Sequence, residues 1–83
     1  MSAITGAQIR AARALVRWRA EDLAKASGVG VATVRRAEAD DGTTSMTAPN
    51  AAVVRRALEE AGVIFVAEDG EGPGVRLRKE RPV

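Results

Sequence analysis

Residues 23–38, Leu-Ala-Lys-Ala-Ser-Gly-Val-Gly-Val-Ala-Thr-Val-Arg-Arg-Ala-Glu, hold the side chains in this chain best suited to recognition chemistry. Two short amphipathic segments flank a turn centred on Gly28. The second segment carries the small residues Val31, Ala32 and Thr33, followed by Arg35 and Arg36. Small side chains let a helix approach base edges closely, and an arginine fork can hold guanine O6 and N7 with two hydrogen bonds. The chemistry on offer is hydrogen bonding to duplex DNA, not bond making or breaking.

Several kinds of catalytic and metal chemistry lack their usual residues. The chain has no cysteine and no histidine, so thiolate and imidazole ligands and the commonest general base are missing. Gly28-Val29-Gly30 opens like a dinucleotide loop but lacks the third glycine and follows a helical pattern instead of a strand. Gly70-Glu71-Gly72-Pro73-Gly74 does follow a strand pattern, but its acidic neighbours would repel a pyrophosphate. Asp40-Asp41 lacks the further ligands of a calcium loop. The expectation is a protein that is not an enzyme and uses no cofactor or metal.

Charge is polarised along the chain. Residues 1–38 carry seven basic and three acidic side chains, residues 39–71 two and seven, and residues 72–83 four and one, although the whole chain is only +2. Such a distribution steers a polyanion to one face while the protein stays nearly neutral.

The elements that must position these residues follow from local signals. Thr5-Gly6-Ala7-Gln8 fits a capping box, with Ile4 and Ile9 as the staple, and opens a first helix ending near Arg17 or Trp18. Its apolar stripe is Ile9, Ala12, Leu15 and Val16, and Trp18 is expected to plug the core. A second helix opens on Glu21 and Asp22, which suit the positive end of the helix dipole, and stops at Ser27-Gly28. The third starts after Gly30 and runs to about Ala39. After the polar loop 40–45, Pro49 marks the first turn of a fourth helix carrying Val53, Val54, Ala57, Leu58 and Ala61, which stops at Gly62.

Beyond Gly62 the period changes to that of strands. Val63-Ile64-Phe65-Val66 and Val75-Arg76-Leu77-Arg78 read as a hairpin joined by the loop 67–74. An isolated hairpin is marginal in water, so it must pack on the helices, pair with a second chain, or both. Large apolar residues are scarce although 46% of the chain is hydrophobic by count, because much of that is alanine. A thin core favours sharing apolar surface between chains. No apolar run approaches a membrane span and no signal peptide is visible, which makes a cytoplasmic protein without membrane contact the expectation.

On Leu23-Ala24, Gly28-Val29, Thr33-Val34 and Arg36-Ala37-Glu38, in register after an arginine-rich first helix, the chain resembles the xenobiotic-response-element (XRE) family of prokaryotic helix-turn-helix regulators, whose fold is shared with phage repressors and Cro proteins. The resemblance spans about residues 4–62. It implies a mainly α fold: a phage-repressor-like four-helix domain over 1–62, with the helix-turn-helix at about 20–38, a C-terminal β-hairpin over 63–79 and a tail at 80–83.

Carried over by position, the resemblance implies that Val31, Ala32, Thr33 and Arg36 face bases. Arg13, Arg17, Arg19, Arg35, Thr43 and Thr44 are expected at phosphates, and Arg13 is expected to pair with Glu38. Gly28 is the turn glycine, with Ala24 and Val34 packing the two helices together. Three departures stand out. Arg19-Ala20 replaces the usual hydroxyl cap and glutamine before the second helix, Gly30 replaces a polar cap, and Ala39-Asp40-Asp41 opens a loop that is frequently basic.

The hairpin stands in place of the fifth repressor helix. Val63, Ile64, Phe65, Val66 and Leu77 are the expected homodimer interface, the alternative being a hairpin that only covers its own core. Arg76, Arg78, Lys79 and Arg81 form either a solvated tail or an extra DNA arm. The expected function is a homodimeric, sequence-specific DNA-binding regulator, a repressor at a pseudo-palindromic operator. The alternative is an antitoxin-type module that neutralises a partner toxin.

Overall fold

A computed structural model of the chain describes residues 3–80. It comprises four helices, α1 (Gly6–Val16), α2 (Ala20–Ser27), α3 (Val31–Glu38) and α4 (Ala48–Glu60), followed by the strands β1 (Val63–Val66) and β2 (Gly74–Leu77). No helix among the described residues is long and apolar enough to cross a membrane.

Each boundary has a local cause. At α1 the capping box is complete: the Gln8 amide donates to Thr5 Oγ1 at 3.0 Å, and the Thr5 amide donates to Gln8 Oε1 at 2.9 Å. The helix stops where Arg17 turns left-handed at φ 59°, the one non-glycine positive φ among the described residues. Gly28 ends α2 at φ 78°. Thr47 caps α4 by accepting from the Asn50 amide at 3.3 Å, with Pro49 in the first turn.

One core joins these elements. Ile9, Leu23, Val34, Val54, Leu58 and Val63 are its largest fully buried side chains, with Ala12, Ala37 and Ala57 filling the close approaches. Two expected core residues lie outside it: Leu15 is 37% exposed and Val53 41%. Leu15 stands in the last turn of α1, at the edge of the Ile9–Ala12–Val16 stripe. There it borders a shallow groove with Trp18 and Leu77. Val53 is likewise a step round from Val54, Ala57 and Leu58. Trp18 packs on the core from its margin and is half-buried.

Gly6 marks an approach that no other residue permits. A Cβ built there would lie 1.9 Å from the Asp40 carbonyl oxygen and 2.5 Å from that of Ala37. The first turn of α1 therefore sits directly on the end of α3. Just beyond, Ile4–Gly6 runs beside 42–44: the Gly6 amide donates to Gly42 O at 2.9 Å and the Thr44 amide to Ile4 O at 3.1 Å.

In the antiparallel hairpin Val63 faces Leu77, Ile64 faces Arg76, Phe65 faces Val75 and Val66 faces Gly74. The second strand thus begins one residue earlier than its sequence pattern suggests. Alternation puts Val63, Phe65, Val75 and Leu77 on one face and Ile64, Val66 and Arg76 on the other. The first set turns inward: Val63 is fully buried, and Phe65 and Val75 pack on the core. Arg55 of α4 lies over the Phe65 ring, 5.1 Å from its centre. The buried Gln8 side chain donates from Nε2 to Val66 O at 3.3 Å and Gly74 O at 2.9 Å, fastening the loop end of the hairpin to α1.

Candidate nucleic-acid interface

The α2–α3 connection is short because Ser27 closes it. Its hydroxyl donates to Leu23 O at 2.7 Å and accepts from the Val29 amide at 3.2 Å, while Val29 is buried behind the turn. Gly30 then leads into α3 with no side-chain cap.

Val34, Ala37 and Glu38 face inward from α3, leaving Ala32, Arg35 and Arg36 exposed. At about 100° per residue these three share a contiguous arc, flanked by the half-buried Val31 and Thr33. Val31 is drawn partly into packing against the core. The outer face of α3 therefore offers two guanidinium groups across a methyl-sized gap, and Arg36 has no ion-pair partner among the described residues.

Behind α3 lies the pair that fixes its end. Arg13 donates to Glu38 through Nε and Nη2, both at 2.7 Å, and through Nη1 to Trp18 O at 3.0 Å. The Glu38 side chain is 8% exposed and that of Arg13 22%. The hydrogen bonds to Glu38 hold the Arg13 guanidinium above its ordinary pKa, against a smaller opposing effect of burial. Arg13 was expected both at phosphate and in this pair. Three hydrogen bonds to Glu38 and Trp18 engage it inside the protein, which accounts for the expected pair.

The other expected phosphate contacts are scattered. Arg17 is exposed at the end of α1, beside Trp18 and Leu77. Arg19 lies against Asp22 at 3.5 Å, and Arg35 against Glu21 at 2.6 Å. Thr43 and Thr44 line a groove with Ile4, Met46 and Arg55 that no α3 residue borders; the Thr44 hydroxyl accepts from the Met46 amide at 3.2 Å. The structure does not bring these threonines together with the open face of α3. In the hairpin, Ile64 and Val66 lie on the outward face and Leu77 is half-buried, whereas Val63 and Phe65 are committed to the protomer's own core. Of the basic C-terminal side chains, Arg76, Arg78 and Lys79 are exposed, and Arg81 lies outside the described residues.

Two acidic residues give the start of α2 its electrostatic character. The Asp22 carboxylate accepts from the Arg19 amide at 2.8 Å, which with the Arg19 side chain holds its pKa below the ordinary range. Glu21 is likewise lowered, by its own backbone N–H and then by Arg35 and Arg19. Arg10, which recurs with Arg13 and Arg17 at helical spacing along α1, bonds both the Glu38 carbonyl and Asp41. It ties the loop after α3 back to α1 and neutralises part of that acidic stretch. Spacing along the chain carries no sign of Glu21–Arg35 or Arg10–Asp41, because both pairs depend on how the helices cross. No protein-family model, curated protein or solved structure matches this chain.

Proposed function

We propose that the chain is a DNA-binding regulator of the XRE and phage-repressor type, which lays the outer face of α3 in the major groove and represses transcription in the prokaryotic cytoplasm as a homodimer. The observation that carries this reading is the exposed arc of Ala32, Arg35 and Arg36 on a helix clamped from behind by Val34, Ala37 and the Arg13–Glu38 pair. Direct readout needs donors on a short, low-profile helix face held at a fixed angle, and this face meets each requirement.

Dimerisation is assigned to the hairpin. A two-stranded sheet leaves one unpaired edge on each strand, and such edges pair readily with another chain. Its outward face adds Ile64 and Val66, both half-buried in the single chain. A two-fold dimer sets two recognition helices about 34 Å apart, one turn of duplex, and so selects a pseudo-palindromic site.

Arg36→Ala is expected to lower affinity for the selected site by about 1–3 kcal/mol and to relax preference at one base position in each half-site. Binding-site selection from a random duplex pool checks this; identical preferences for both proteins would remove Arg36 from base recognition. Affinity should also fall steeply with salt. Six to ten phosphate contacts across a dimer, with Arg17, Arg19 and Arg35 of each protomer among them, cost about a thousandfold or more between about 50 and 200 mM. Binding that barely responds to salt would count against this reading and favour a protein partner, such as a toxin.

A further inference from the structure

Of the arginines on the outer face of α3, one is already occupied by an anion. Arg35 Nη2 donates to Glu21 Oε2 at 2.6 Å, from α3 across to the first turn of α2. The side chains are 59% and 51% exposed, so an incoming phosphate can reach the same guanidinium edge. A carboxylate and a phosphate present similar oxygen pairs to an arginine fork, and one edge cannot serve both fully.

We propose that Glu21 is an intramolecular competitor with DNA phosphate for Arg35 and thereby restrains sequence-independent binding. This rests on the DNA-binding function proposed above. Glu21 differs from its neighbour Asp22, whose carboxylate accepts from the Arg19 amide and so secures the start of α2. The contact that Glu21 makes outside its own residue is to Arg35. Its carboxylate also receives its own backbone N–H, a role that a glutamine oxygen can retain. Glu21→Gln is therefore a substitution that removes the charge while keeping size and an acceptor. An exposed pair of this kind is weak, so the restraint is modest: about two- to five-fold in affinity.

The test compares the wild-type chain, Glu21→Gln, Arg35→Gln and the double variant on a short fluorescein-labelled duplex of mixed sequence, by anisotropy at low salt. Glu21→Gln is expected to tighten binding about two- to five-fold, and to change nothing once Arg35 is glutamine. A second measurement needs no DNA. In the free protein, NMR titration of the Glu21 carboxyl should move to higher pH in Arg35→Gln, because the guanidinium is one of the causes holding it low.

No tightening in Glu21→Gln overturns the proposal. Equal tightening in both backgrounds also overturns it, since Glu21 would then repel the duplex directly instead of acting through Arg35. An unchanged Glu21 titration in Arg35→Gln removes the pair itself. If the titration moves as expected but wild-type protein binds no duplex, the pair stands while the DNA-binding function fails, and the competitor role fails with it.

Discussion

Ile64→Asp is expected to yield a folded monomer that loses operator-length DNA, whereas Phe65→Asp should unfold the chain. The two residues are neighbours in β1 but lie on opposite faces. Ile64 points outward beside Arg76, its cross-strand partner, so an aspartate there finds a cation on its own hairpin and leaves the protomer intact. In a two-fold dimer the same substitution enters twice, removing two apolar side chains worth about 1.5–3 kcal/mol each when fully buried. It also sets two carboxylates close together at the interface. Dimer affinity should drop by a factor of a hundred or more, by about 1.4 kcal/mol for each tenfold. A single recognition helix then faces the competition of genomic non-specific sites without its partner.

Phe65, by contrast, packs on the core beneath Arg55. Removing a fully buried phenylalanine costs about 3–5 kcal/mol; Phe65 is half-buried, but a carboxylate turned toward the core adds its own desolvation cost, and together these take a large part of the roughly 5–15 kcal/mol available to a small domain. Light scattering and far-ultraviolet circular dichroism separate the two outcomes. A dimeric Ile64→Asp protein would remove the outward face from the interface, and a folded, monomeric Phe65→Asp protein would reverse the assignment of the faces.

The features legible in the sequence are those set by contacts a few residues apart. Thr5 with Gln8, Gly28 after Ser27 and Pro49 after Thr47 each act within one helical turn, and the helix boundaries follow from them. The change to strand periodicity after Gly62 is equally local. What escaped the sequence depends on crossings. Gly6 looks like an ordinary second residue of a capping box until α3 arrives with the Asp40 and Ala37 carbonyls against it. Gln8 completes that box through Oε1, yet its Nε2 reaches the far end of the hairpin, with 58 and 66 residues separating the partners.

Leu15 and Val53 show the same limit from the other side. Their types and helical spacing suit a core, but a stripe has a width, and what packs opposite decides which of its edges is covered. Arg13–Glu38 could be anticipated from the family resemblance alone. The third hydrogen bond, from Arg13 Nη1 to the Trp18 carbonyl, is displayed only by the folded chain.

Glu38→Ala is expected to weaken the α1–α3 junction severely. A carboxylate in the last turn of a helix meets the negative end of the helix dipole, so Glu38 is held there by other forces. These are the two hydrogen bonds from Arg13, in a site where the Glu38 side chain is 8% exposed. Deleting one member of a buried pair strands the other, at about 3–5 kcal/mol when both are fully enclosed. The Arg13 side chain keeps 22% of its surface in contact with solvent, which relieves part of that cost and places the expected loss at about 2–4 kcal/mol. For a chain of this size, a loss near 3 kcal/mol lowers the melting temperature by about 12–24 °C.

Replacing both partners together, Arg13→Met with Glu38→Leu, should recover much of the loss, because no charge is then left without its counterpart. Recovery of stability need not restore function. The pair is directional, and it fixes the end of α3 against α1 where apolar side chains would allow the helix to slide or rotate. Urea unfolding measures the first effect, and binding to a selected operator the second. A Glu38→Ala protein within about 0.5 kcal/mol of wild type, the range of an ordinary surface substitution, would show that α3 is held by Val34, Ala37 and the Gly6 contact without help from the ion pair.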